Sequence, residues 1–116
     1  MKYYTSETVT MVADEETCKA LQKVLEPEFT EHTKCKIENG EFFCSIYGDH
    51  VNINEILIEF TKEHKNILVE HNIHDWEIEA EFPDIKYFYK NGKFTYTYIE
   101  FGCPVFDVIK ELPDID

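Results

Sequence analysis

Thr33-Lys34-Cys35-Lys36-Ile37-Glu38-Asn39-Gly40-Glu41-Phe42-Phe43-Cys44-Ser45-Ile46 reads as a β-hairpin. Asn-Gly supplies the two positive φ angles of a two-residue loop, the strongest short-range hairpin signal. With the loop there, Glu38 faces Glu41, Ile37 faces Phe42 and Cys35 faces Cys44. Counting out from the loop makes Cys35 and Cys44 a non-hydrogen-bonded pair, where cross-strand Cα atoms come closest. The two sulfurs are therefore expected to be neighbours in the core. Alternation continues back to Phe29, with Phe29, Glu31, Thr33, Cys35 and Ile37 on one face. Thr30, His32, Lys34, Lys36 and Glu38 take the other.

Upstream, Thr8–Val12 is a β-prone run, and Asp14 follows as a helix N-cap with Glu15 and Glu16 in the first turn. Cys18, Leu21, Val24 and Leu25 recur at helical spacing until Pro27 stops them. Downstream, Asn52-Ile53-Asn54-Glu55 has the pattern of a capping box. Ile53, Ile56, Leu57, Phe60, His64, Ile67, Leu68 and His71 then trace one stripe of a helix of about five turns, which Asn72 can end. Trp76–Phe82 alternates as a strand with Glu77, Glu79 and Glu81 on its polar face, and Pro83-Asp84 turns the chain. A second Asn-Gly loop, Asn91-Gly92, joins Ile85–Lys90 to Lys93–Phe101. In that hairpin Tyr89 faces Phe94, Tyr87 faces Tyr96 and Ile85 faces Tyr98, aromatic pairs of the kind that fix register. Pro104 at a first helical position opens a short last helix carrying Val105, Val108, Ile109 and Leu112.

The resulting order is β-α-β-β-α-β-β-β-α. Its first six elements match a ferredoxin-like βαββαβ plan in an α+β domain, an antiparallel sheet with helices on one face. An additional C-terminal β-hairpin and a short terminal helix extend it. At 116 residues, residues 1–116 are expected to form a single domain, and a 43% hydrophobic, 15% aromatic composition can build a core.

Charge narrows the functional classes. Twenty-four acidic residues face eleven basic ones, all of them Lys, for a formal net charge of −13. Without Arg, the bidentate reader of phosphate and guanine, direct nucleic-acid binding is not expected. No run approaches the roughly 20 apolar residues of a membrane helix, and the start at Met1-Lys2-Tyr3-Tyr4 has no apolar leader. The expectation is a cytoplasmic protein that does not engage a membrane. In that setting Cys18, Cys35, Cys44 and Cys103 are read as free thiols rather than disulfides. Abundant Lys, Asn, Ile, Phe and Tyr with little Ala hint at an AT-rich coding genome.

No motif supports catalysis, a metal or a cofactor. His32-x-x-Cys35 would sit on opposite faces of a strand, whereas His71-x-x-His74 straddles the expected helix end and could converge. No Cys-x-x-Cys or His-Glu-x-x-His pattern supports either pair. His64 and His71, two turns apart on the stripe, are core-edge histidines or a pH-sensitive contact. The glycines are scattered one per turn, so no phosphate-cradling loop forms, and neither Ser6 nor Ser45 lies in a nucleophile elbow. Cys35 and Cys44, packed beside Ile37, Phe42 and Ile46, lack the exposure a redox pair needs.

The acidic surface remains. Glu77, Glu79 and Glu81 would stand about 6.6–6.8 Å apart along one strand face. Glu55, Glu59, Glu63 and Glu70 spread along the outside of the long helix, with Glu15, Glu16, Glu26, Glu28 and Glu31 near the first. Lys34, Lys36, Phe43 and Tyr47 make a small contrary patch on the sheet. The expectation is a non-catalytic acidic partner-binding protein, an inhibitor that mimics nucleic acid and blocks a basic protein such as a nucleic-acid enzyme. A phage inhibitor of a bacterial defence nuclease (an anti-CRISPR, for instance) or an immunity protein fits the size and charge. The alternative is a dimeric ferredoxin-like regulatory module that binds a small ligand and pairs through the Ile85–Phe101 hairpin as a homodimer. A small enzyme would need a constellation around His71, His74 and Asp75.

Overall fold

A computed structural model describes residues 4–49, 53–75 and 84–99. They form an α+β arrangement of two helices and a six-stranded antiparallel sheet. The strands are β1 (Tyr4–Val12), β2 (Lys34–Glu38), β3 (Glu41–Asp49), β4 (Val69–Asp75), β5 (Asp84–Lys90) and β6 (Lys93–Ile99). The helices are α1 (Glu15–Leu25) and α2 (Asn54–Glu63). Across the sheet the order is β2-β3-β1-β4-β5-β6, so β1 is central although it comes first in the chain.

Both Asn-Gly loops form as the sequence dictates. Asn39, Gly40, Asn91 and Gly92 all have positive φ, and the registers place Cys35 opposite Cys44 and Tyr87 opposite Tyr96. Strand parity then puts Glu7, Val9 and Met11 on the same face as Phe42, Cys44, Ile46, Val69, His71 and Tyr89. Cys18, Leu21 and Leu25 of α1 and Leu57 and Phe60 of α2 pack there, making one core between helices and sheet. Asp14 caps α1 through its carboxylate, which accepts from the Thr17 N–H at 2.7 Å. That bond, joined by one from the Thr17 side chain, holds the Asp14 carboxyl below its usual range.

Several expectations change. The strand expected from Phe29 begins only at Lys34, because Thr30 and Thr33 bond locally instead. The Thr30 N–H donates to Thr33 Oγ1 at 2.7 Å, the Thr33 N–H to the Thr30 carbonyl at 3.1 Å, and the Thr30 hydroxyl to the Tyr47 carbonyl at 2.6 Å. The long helix from Ile53 to His71 stops at Glu63, with Asn66 at φ 63° rather than Asn72 reversing the chain. Val69–Asp75 is a strand in place of the helix expected to run on to His71, and it is the sixth element among the described residues, counting the two α-helices and the strands. The capping box is also absent in that form. Ile53 is the N-cap without a side-chain bond, and the Asn54 amide instead donates to the Tyr89 hydroxyl at 2.6 Å. The expected strand at 76–82 and terminal helix at 104–112 lie outside the described residues. Among the described residues no helix is long and apolar enough to cross a membrane.

Candidate functional site: an acid-lined groove between the helices

Residues 55, 59 and 63 are one helical turn apart, so on α2 they form a line with about 6 Å between successive positions. All three glutamates are exposed. They border a groove of about 510 Å³ between α1 and α2. Its apolar floor comes from Ala20 and Val24 of α1 and Ile56 and Phe60 of α2, and Lys23 stands on the α1 side. His64 closes one end, stacked on Phe60 with ring centroids 4.2 Å apart and planes 18° apart. Its Nδ1 lies 3.0 Å from the Phe60 carbonyl, which can only accept, so Nδ1 carries the proton and caps the helix end. Over residues 14–28 and 54–63 the helical layer carries eight carboxylates against three lysines. The groove is thus an apolar slot with a negative rim.

The opposite sheet face differs. Lys34, Lys36, Lys86, Lys90 and Lys93 share it with Glu38, Glu41, Glu70 and Asp84. Lys36 pairs with Glu38 at 2.6 Å, so the basic patch expected at Lys34, Lys36, Phe43 and Tyr47 is partly neutralised, and Lys86 pairs at 3.3 Å with Glu70, which lies on β4 rather than on the expected long helix. Phe88 is buried although it points to this face, with the Lys86 ammonium 5.7 Å from its ring centroid.

Glu55, Glu59 and Glu63 are therefore brought together, while Glu77, Glu79 and Glu81 lie outside the described residues. His71 and His74 do not converge. Both are on β4, three residues apart, and so point to opposite faces. His74 donates from Nδ1 to Asp84 at 2.6 Å on one side. His64 is not on an element shared with His71, which removes the expected two-turn stripe. Among the described residues no three His, Cys, Asp or Glu side chains cluster as a metal site would require.

His71 instead belongs to a buried chain that the sequence reading missed. The Asn54 amide donates to the Tyr89 oxygen, and His71 Nδ1 lies 3.1 Å from that hydroxyl. With His71 neutral, the Tyr89 hydroxyl donates to Nδ1 and Nε2–H donates to the Glu7 carboxylate at 2.7 Å. Glu7 and His71 are almost wholly buried, so the chain ties β1, β4, β5 and α2 together away from water. Burial first, then the neighbouring Tyr87, pushes the Tyr89 hydroxyl well above its usual range. The available signal was parity. Extending the Thr8–Val12 strand back one residue places Glu7 inward beside Val9 and Met11, where a carboxylate needs a partner.

The three described cysteines are free thiols. Burial pushes Cys44 up to about 12, with Cys35 beside it adding to the effect. Burial also raises Cys35 and Cys18. Thiols held protonated are poor nucleophiles.

No protein-family model matches the chain, and no match is found among curated proteins or solved structures.

Proposed function

We propose that this is a non-catalytic acidic partner-binding protein, an inhibitor that occupies a basic surface of its target. The observation that carries the reading is the line of Glu55, Glu59 and Glu63 along an apolar-floored groove. A partner segment with apolar side chains flanked by Lys or Arg fits both features at once. Its apolar side chains fill the slot between α1 and α2, and its cations meet the rim. A net charge of −13 speeds encounter with such a surface and repels nucleic acid and other acidic proteins. A nucleic-acid enzyme is the kind of basic target this favours, because its cleft is built to hold a row of negative charge. Inhibition of a phage-restricting nuclease, or immunity to a toxin, is the setting in which such a blocker acts.

We further read the first six elements as ferredoxin-like. Support comes from β3 lying between β1 and β2, β1 lying between β3 and β4, and both helices packing on one face.

The test compares the wild-type chain with Glu55→Lys/Glu59→Lys/Glu63→Lys in affinity capture from host lysate, at low and raised salt. The wild type should retain a basic protein that is released as salt rises and that the triple variant does not hold. Equal retention by the folded triple variant removes these residues from the interface.

A further inference from the structure

We infer that β6 is a self-pairing edge, and that two copies of this chain join antiparallel about a two-fold axis through Tyr96. The argument is independent of the acidic groove. Among the described residues β6 ends the sheet, with β5 on one side and no strand on the other. Lys90 and Lys93 flank the two-residue loop and so form a hydrogen-bonded pair. Alternation from that pair directs the N–H and C=O groups of residues 93, 95, 97 and 99 toward β5. The backbone groups of Phe94, Tyr96 and Tyr98 point outward, to the open edge.

The same three residues also carry the exposed side chains. Phe94, Tyr96 and Tyr98 are 49%, 52% and 51% exposed, all on the helix-facing side. Natural edges are protected by proline, bulges or charge. Residues 93–99 contain no proline, pair with β5 without a bulge and hold one charge, Lys93.

The strand is self-complementary in one register. With Tyr96 opposite its own copy, Phe94 falls opposite Tyr98, and all six outward N–H and C=O groups of each strand find partners. Thr95 then faces Thr97, a favoured cross-strand pair, on the other side of the sheet. Lys93 falls opposite residue 99, an isoleucine, so no like charges meet despite the charge of −13 on each chain. The aromatic rows of the two hairpins join, extending contacts already present between Tyr87 and Tyr96 at 5.5 Å and Tyr89 and Phe94 at 6.1 Å. The acidic line of α2 does not obstruct this, because Glu55, Glu59 and Glu63 border the α1 side. Thr61 and Lys62 of α2 touch the β5–β6 loop.

The test uses the intact chain. Light scattering across a concentration series should give twice 13.8 kDa at the upper end, with the dimer favoured by salt as repulsion between the acidic chains is screened. This is the opposite salt response to that of the acidic groove, so the two readings fail separately. Amide exchange followed by NMR should show the Phe94, Tyr96 and Tyr98 N–H groups gaining protection as concentration rises, with those of Lys93, Thr95 and Thr97 protected throughout. Tyr96→Lys, which sets two ammonium groups against each other at the axis, should stay monomeric with an unchanged fold. A chain monomeric at millimolar concentration overturns the proposal. So does a dimer in which the amides of 94, 96 and 98 exchange freely, or one that Tyr96→Lys leaves intact.

Discussion

The two Asn-Gly hairpins start from nearly the same instructions and end in different surroundings. Each has a two-residue loop with positive φ, alternating apolar residues and the register its loop demands. In the β2–β3 hairpin the inward side of β3 disappears into the core, with Phe42, Cys44 and Ile46 all buried beneath the helical layer. In the β5–β6 hairpin burial stops partway. Tyr89 joins the core and the Asn54–Tyr89–His71–Glu7 chain, yet Phe94, Tyr96 and Tyr98 on the adjoining strand are half exposed. Loop chemistry and side-chain alternation set pairing. Where a helix comes to lie sets burial, and that is a long-range event neither hairpin encodes by itself.

The largest consequence of the difference is in stability. Phe42→Ala opens a cavity in the core beneath the helices and should cost about 3–5 kcal/mol. Tyr96→Ala in dilute protein removes a half-exposed ring and should cost under about 1 kcal/mol. Urea unfolding of the two variants, read by the shift in midpoint at constant m-value, measures the contrast. Similar shifts would mean that the β6 aromatics are as deeply packed as Phe42, and the comparison would collapse.

A smaller contrast lies in the loops. Gly40 and Gly92 have φ of 77° and 78°, so an alanine at either strains the backbone by about 1 kcal/mol. The surroundings then separate them. A Cβ on Gly40 would sit 3.4 Å from the Ala13 carbonyl, an ordinary contact, whereas one on Gly92 would come within 3.1 Å of Lys62 Cβ. Gly92 also donates its N–H to the Thr61 hydroxyl at 3.1 Å, tying the loop to α2. Gly92→Ala should therefore destabilise more than Gly40→Ala, by a further few tenths to about 1 kcal/mol. Thermal midpoints of the two variants decide it, and the reverse order would show that Lys62 gives way freely.

The same distinction between local and long-range information separates what the sequence disclosed from what it hid. Both loops, both registers, the Asp14 cap and α1 rest on neighbours within a few residues, and all were legible. The end of α2 was not. Ile67, Leu68 and His71 continue a helical stripe from Phe60, but Val69, His71 and Ile73 equally make an alternating strand. Pairing of β4 with β1 and β5 decides in favour of the strand, helped by Asn66 in the left-handed region. At the candidate site, the line of Glu55, Glu59 and Glu63 follows from helical spacing alone. The groove they border required knowing that α1 lies beside α2. The bond from His71 to Glu7 joins residues 64 apart in sequence, and only the strand order brings them together.

The smallest expected effect concerns the paired thiols, and it sharpens the hairpin comparison chemically. Cys44, buried on β3, is pushed up to about 12, while an unfolded thiol titrates near 9. Below about pH 8.5 both states hold the proton and Cys44 gives no pH dependence. Above that the unfolded chain releases its proton and the native protein does not, so stability contributed by the neutral thiol falls as pH rises toward 12. Cys44→Ala should make the decline in thermal midpoint between pH 8 and pH 10.5 shallower. It should not abolish it, because the raised hydroxyl of Tyr89 in the other hairpin acts in the same sense at still higher pH. Alkylation by iodoacetamide at pH 8 gives the matching kinetic result. Half-buried Cys35 should react before Cys44, and Cys44 should react only at the rate at which the β2–β3 hairpin opens. Equal reactivity of the two, together with an unchanged alkaline slope in Cys44→Ala, would place both thiols in water and leave the two hairpins alike.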